Sequence, residues 1–268
     1  MKISFSTLSC PQWSWTKVID EASRMGYDGI EVRGIQDELY LPNLKPFMPE
    51  NLDNTLRDLK ERDLEICCLG TSCIFHDDSR FDTSLKEGIA TIDLAKDMGV
   101  PYIRVFGDEI PDIEKKDETV KQVAKGIEQL GRYAEDKGVM VLQETHGDFS
   151  NSDYLLEVLE KTSSPAIGVI WDIANPFGGN KESIYDTYKK LRKYIRHTHI
   201  KDIKNSNEER QVRMPGKGDV PIVDVVSLLR ENNYDGYLSF EWEKRWHSDI
   251  EEPEIVLPYY IEYIKKLL

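Results

Sequence analysis

The chain is poor in cysteine: it has four, Cys10, Cys67, Cys68 and Cys73. They form no paired C-x-x-C units, so a structural zinc site is not indicated. Cys67 and Cys68 are neighbours on an apparent strand and point to opposite faces, and reduced, cytosolic thiols are the simple reading. An excess of positive charge is also missing. Against 49 acidic residues stand 35 Lys and Arg, for a net charge of -14. Phosphate binding relies on clustered cations, so no nucleic-acid partner is expected. No window reaches the apolar length of a membrane span. The opening MKISFSTLSC lacks the charged region and apolar run of a secretory signal, so a cytoplasmic protein with no membrane partner is expected. Low-complexity segments and internal linkers are absent as well.

What remains is a soluble globular composition, 40% hydrophobic and 31% charged over 268 residues. That length suits the roughly 250 residues of a (β/α)8 barrel. Short apolar runs alternate with amphipathic stretches throughout. The runs are ISFSTL from Ile3, GIEV from Gly29, EICCL from Glu65, YIRVF from Tyr102, VMVLQE from Val139, IGVIWD from Ile167, IRHTHI from Ile195 and YLSFEW from Tyr237. Their Val, Ile and aromatic content predicts strands buried on both faces. Between them, Val120, Val123, Ile127, Leu130 and Ala134 recur at helical spacing, and Leu85, Ile89, Ile92 and Met98 do nearly the same. Ile255, Tyr259, Tyr263 and Leu267 are read as the last helical stripe, opened by Pro253. Eight strands alternating with helices predict a parallel sheet, and eight is the number that closes into an α/β (β/α)8 TIM barrel. A doubly wound open sheet is the alternative. One domain over residues 1–268 is expected.

The joints are unequal. Helix-to-strand joints are short and carry Gly26, Gly99 and Gly138, which read as helix C-caps. Several strand-to-helix joints are long: Gly34 to Glu50, Thr71 to Asp82, and Lys201 to Asp219. Elaboration of one face points to that face as the working one, which in a barrel is the C-terminal end of the strands.

The fifth to eighth runs each end in a residue able to hold a hard cation: Glu144, Asp172, His199 and Glu241. Taken singly, such a carboxylate reads as a helix N-cap or ion-pair partner, and His199 as a hydrogen-bonded core residue. Taken together in a closed barrel they converge on the axis, and carboxylates so placed repel one another unless a cation sits among them. Three carboxylates and one imidazole favour one divalent ion, Mn2+ before Mg2+, with Co2+ as a substitute.

The chain resembles the xylose-isomerase-like barrel superfamily of sugar and sugar-phosphate isomerases and epimerases. The resemblance runs through GYDGIEVRG (Gly26 to Gly34), VLQETHGDF (Val141 to Phe149), WDIAN (Trp171 to Asn175), HTHIKD (His197 to Asp202), MPGKGDVPI (Met214 to Ile222) and SFEW (Ser239 to Trp242). The ketose 3-epimerases and inosose isomerases of that family imply that Glu144, Asp172, His199 and Glu241 bind the metal. They imply too that Glu144 and Glu241 act as acid and base, and that homo-oligomers form. The chemistry suits these residue types: moving a proton next to a carbonyl, through an enediolate, needs an electrophile on the oxygen and a base beside the carbon.

Around this set stand candidate substrate contacts. The resemblance places a substrate contact near Glu31, whose bland reading is an ion pair with Arg33 or another neighbour. It does the same for Arg213, otherwise a solvated loop charge. His146 is expected to touch substrate or orient the metal glutamate, and Lys201 to meet a substrate oxygen or join a salt bridge. Trp13 and Trp246, with Trp15, Phe75, His76 and His247, are read as walls of a sugar pocket or as loop packing. His197 is expected to be a buried structural histidine, Arg104 to pair with carboxylates inside the barrel, and Asp219 to cap the helix after Pro221. At Asn175 several relatives have His, so that substrate contact departs from the pattern.

The expected function is a metal-dependent isomerase or epimerase of a sugar, sugar phosphate or cyclitol. The alternative is a lyase on the same site, an inosose or dehydroshikimate dehydratase. Two further readings, an apurinic-site endonuclease and a non-catalytic binding protein, fit less well. The first lacks the extra histidine ligands and the positive charge; the second leaves four retained ligands without a role.

Overall fold

The computed structural model describes residues 1–206 and 209–268. Ten strands occur among them: β1 (Lys2–Ser6), β2 (Gly29–Val32), β3 (Glu65–Ile74), β4 (Tyr102–Phe106), β5 (Met140–Glu144), β6 (Ile167–Asp172), β7 (Ile195–Ile200), β8 (Asp202–Ser206), β9 (Glu209–Arg213) and β10 (Tyr237–Phe240). The α-helices are α1 (Trp15–Met25), α2 (Pro49–Glu61), α3 (Phe81–Met98), α4 (Lys116–Ala134), α5 (Ser152–Leu159), α6 (Ala174–Gly179), α7 (Ile184–Leu191), α8 (Ile222–Glu231) and α9 (Pro253–Lys265). Eight strands close into a barrel in the order β1-β10-β7-β6-β5-β4-β3-β2. The fold is therefore a (β/α)8 TIM barrel, and its eight strands fall on the eight runs read from the sequence. The antiparallel hairpin β8–β9, which pairs Asp202 with Arg213, lies in the long joint after β7. Its alternation is too polar to have stood out as a strand pair.

The chain clusters into two compact units. The first comprises Met1–Cys67 and His197–Leu268. Within it β1 pairs in parallel with β2 (Phe5 beside Ile30) and with β10 (Phe5 beside Phe240), and β10 pairs with β7 (Ser239 beside His199). Phe240 stacks on Tyr260 of α9 at 4.3 Å between centroids, and Phe5 meets Tyr27 edge-on at 4.8 Å. The buried face of α9 is Val256, Tyr260 and Ile264 with Leu257 and Ile261, not the expected stripe beginning at Ile255, which is exposed. Apolar residues lie on nearly every side of α9, so periodicity alone offers two phases of equal merit.

The second unit is Cys68–Arg196. Here β4, β5 and β6 run parallel, with Leu142 beside Arg104 and Gly168. Cys68, Leu142 and Ile170 form a fully buried apolar cluster. The α4 stripe Val120, Val123, Ile127, Leu130 and Ala134 is buried as expected. Gly26 and Gly99 end α1 and α3 in the left-handed region, at φ +80° and +71°, where a side chain would be strained.

Helix α8 begins at Ile222, with Pro221 at the cap position and Asp219 two residues before that cap. Trp15 and Phe75 are core residues, Trp15 against Phe47 and Phe75 against Phe81. Among the described residues no helix is long and apolar enough to cross a membrane.

Candidate metal centre

The strand period of two places the site. Leu142 and Glu144 share a face of β5, and Ile170 and Asp172 share a face of β6. Leu142 and Ile170 pack together, so the two carboxylates stand above them on that same face. In the other unit, His197 and His199 share a face of β7. Ser239 points the same way on β10, and Glu241 follows it by two residues. His199 Nδ1 lies 3.4 Å from Glu241 Oε1.

Glu144, Asp172, His199 and Glu241 can each offer one ligand atom such that all four atoms lie within 4.8 Å of one another. All four residues are at most 4% exposed. Three carboxylates brought so close out of water are costly without countercharge. Part of that charge comes from the protein. Arg104 Nη1 donates to Glu144 Oε2 at 3.0 Å, its Nη2 donates to the Thr71 carbonyl at 3.2 Å, and its guanidinium lies 3.9 Å from the Phe106 ring centroid. Lys201, 2% exposed, donates to Glu241 Oε2 and to Glu243 Oε1, both at 2.9 Å. The donor chemistry fits a hard divalent cation: mostly oxygen, one imidazole, no thiolate.

The description "xylose isomerase-like TIM barrel" belongs to the family model that matches residues 19–266. The chain belongs to that family. Among its relatives, a fructoselysine 3-epimerase of Shigella flexneri is 23% identical over 92% of this chain and 91% of its own length. An inosose dehydratase of Clostridium tetani is 29% identical over 51% of this chain and 52% of its own. Among solved structures, the IOLI protein with a bound zinc atom superposes with a TM-score of 0.80 at 19% identity, covering 100% of this chain and 98% of that one.

In this xylose isomerase-like barrel the remaining candidates are placed as follows. Asp172 Oδ1 accepts the backbone N–H groups of Ala174 and Asn175 at 2.8 and 2.9 Å. One oxygen of Asp172 thus holds the first turn of α6, whose cap position is Ile173. Asn175 is buried and its amide donates to the Thr145 carbonyl at 2.9 Å. His146 Nδ1 is 2.9 Å from Asp108 Oδ1, its ring lies against Phe106, and its side chain stays 41% exposed. That hydrogen bond holds the Asp108 carboxyl below its ordinary range. Sequence reasoning missed Asp108, which is far from His146 along the chain. It also missed Glu243, although its spacing of two from Glu241 was a usable signal.

Glu31 is 1% exposed and sits among three side chains. His197 Nε2 is 2.9 Å from its Oε2, His199 Nε2 is 3.0 and 3.1 Å from its two oxygens, and Ser239 Oγ donates to Oε2 at 2.9 Å. Burial favours the neutral acid, yet the two imidazoles hold this carboxyl well below the carboxylate range.

The loop residues have contacts of their own. Trp13 is buried; its indole donates to Glu254 at 3.1 Å and lies beneath the Lys17 ammonium. Trp246 is 54% exposed. Arg213 donates to the Val212 carbonyl and to Gln211, and it lines a cavity of about 250 Å3 with Arg210, His247 and Asp249.

Proposed function

We propose that this chain is a divalent-metal-dependent isomerase or epimerase that moves a proton beside the carbonyl of a sugar, sugar phosphate or cyclitol. The observation that carries this reading is the convergence of four buried donor groups, Glu144, Asp172, His199 and Glu241, on one place. Mn2+ is the metal we favour, with Mg2+ or Co2+ as substitutes; the zinc of the IOLI structure makes zinc the natural competitor in the test. When bound, the ion supplies Lewis-acid polarisation of the substrate oxygen. The chain supplies the proton chemistry. Glu144 and Glu241 are the acid and base, one taking the proton from carbon and the other returning one. Arg104 fixes one oxygen of Glu144 and Lys201 one oxygen of Glu241, so neither carboxylate has to reorient during the transfer. The relatives support this reaction class, because a 3-epimerase and a dehydratase can both begin by removing a proton next to a carbonyl. A lyase that then expels a β-hydroxyl is the second reading, favoured by the inosose dehydratase relative.

The test is turnover of ketoses and inososes in deuterated water with Mn2+, followed by NMR. The expected result is an epimer or isomer carrying deuterium at the carbon beside the carbonyl. Loss of water with no epimer would favour the lyase. Chelation is expected to lower the rate at least about 100-fold and Mn2+ to restore it, as for an essential Lewis acid. Indifference to chelator would remove the metal from the reading.

His146, Asn175 and Arg213 are proposed as substrate contacts, and Trp13 and Trp246 as more distant walls. For Lys201 we favour the holding of Glu241, because two carboxylates already take its ammonium. Lys201→Met is therefore expected to lower kcat by about 10–100-fold, the usual cost of losing such a supporting group, with KM nearly unchanged. A raised KM at constant kcat would make Lys201 a substrate contact instead. The same reading takes residues 1–268 as one domain, which predicts a single unfolding transition.

A further inference from the structure

We infer that Glu31 is a positioning residue that fixes His199 as the Nε2–H tautomer and so presents Nδ1 to the metal. The inference rests on the metal reading above and concerns residues of one unit only. Glu31 stands at the end of β2, in GIEV, where the sequence suggested a substrate contact. Its oxygens are instead ringed by groups able to donate: His197 Nε2, His199 Nε2 and Ser239 Oγ, all at 2.9–3.1 Å.

A carboxylate in hydrogen-bond contact with an imidazole nitrogen offers that nitrogen lone pairs only, so the hydrogen must sit on nitrogen. His199 Nε2 is then a donor, and in the neutral ring Nδ1 becomes the lone-pair nitrogen. Nδ1 lies on the side of Glu241, 3.4 Å from Oε1. Two lone-pair atoms facing one another at that separation are a poor pair by themselves and a good pair of ligands for one cation. Carboxylates that hold the far nitrogen of a metal-binding histidine orient the ring and raise its basicity. His197 and Ser239 complete the arrangement by holding Glu31: His197 shares a face of β7 with His199, and Ser239 lies two residues before Glu241, which follows the end of β10. This explains why HTH repeats histidine at a spacing of two. One imidazole faces the metal, and the other steadies the carboxylate behind it.

Glu31, His197 and His199 also have the spacing of a three-ligand metal group in their own right. The experiment separates the two arrangements. In metal-free protein, 15N NMR of the imidazoles is expected to show hydrogen on Nε2 of both His197 and His199. On adding Mn2+, calorimetry is expected to give one ion per chain. Glu31→Gln is expected to bind Mn2+ about 10–100-fold more weakly, with His199 showing mixed tautomers. Glu31→Asp, which keeps the acceptor, is expected to recover part of the affinity. Should Glu31→Gln fail to fold, Ser239→Ala loosens the same carboxylate with a smaller change and is expected to weaken Mn2+ binding severalfold. Hydrogen on Nδ1 of His199 in the metal-free protein would overturn the inference even if the ion binds. So would two ions per chain, or Mn2+ affinity unchanged in a folded Glu31→Gln variant. A wild-type chain that binds no Mn2+ yet shows the Nε2–H tautomer would overturn the metal reading and leave the Glu31 contacts standing.

Discussion

A Glu241→Gln variant is expected to lose at least about 10³-fold in kcat, within the range that a positioned acid–base group supplies. The change is nearly isosteric, so the loss would come from proton transfer rather than shape. Gln retains one oxygen that can face a cation, but it cannot take a proton at working pH. The surroundings are arranged to survive the change. Lys201 keeps its bond to Glu243, so no ammonium is stranded in the interior. Two measurements separate the roles. Mn2+ affinity, read by calorimetry, is expected to fall modestly. Exchange of substrate hydrogen with deuterated water is expected to be lost even when the ion is saturating. Exchange at more than about a tenth of the wild-type rate would give the base's role to Glu144 and leave Glu241 only that of the acid, since one acid–base group is worth about 10²–10⁴.

Much of this was legible in the sequence, and the reasons are physical. A strand buried on both faces is an uninterrupted apolar run, and eight such runs with short glycine-capped returns leave few topologies. The candidate ligands were legible because they sit at strand ends, where the apolar pattern breaks into a carboxylate or imidazole. The partners that hold those ligands were harder to see. Arg104 could be marked as a charge inside an apolar run, which needs an opposite charge nearby. Its pairing with Glu144 follows from the register that sets Arg104 beside Leu142 on neighbouring strands. Glu31 could be marked as unusual but not assigned, since His197, His199 and Ser239 come to it from distant parts of the chain. Asp108 reaches His146 in the same way. The phase of α9 and the hairpin β8–β9 were lost for a different reason. One is apolar on too many sides and the other on too few, so periodicity had nothing to choose by.

Arg104→Met is expected to destabilise the metal-free protein by about 3–5 kcal/mol, because removing one partner of a buried pair leaves the other's charge poorly compensated. Arg104 and Glu144 have side chains only 4% and 1% exposed, so solvent screening does little to soften the loss. The methionine would replace the stem's packing but neither the charge nor the donation to the Thr71 carbonyl. Urea unfolding with and without Mn2+ carries the test further. If Glu144 is a ligand, a bound ion restores positive charge beside it, and the cost of the substitution should shrink when Mn2+ is saturating. Linkage requires the reciprocal effect: the folded variant should bind Mn2+ more tightly than wild type, because a like charge near the ion has gone. Arg104→Met combined with Glu144→Gln should be less destabilised than Arg104→Met alone, since the uncompensated charge is then absent. A cost below about 1 kcal/mol would mean that the pair behaves as a screened surface pair. An equal cost with and without Mn2+ would detach Glu144 from the metal, and the fourfold ligand set would have to be given up.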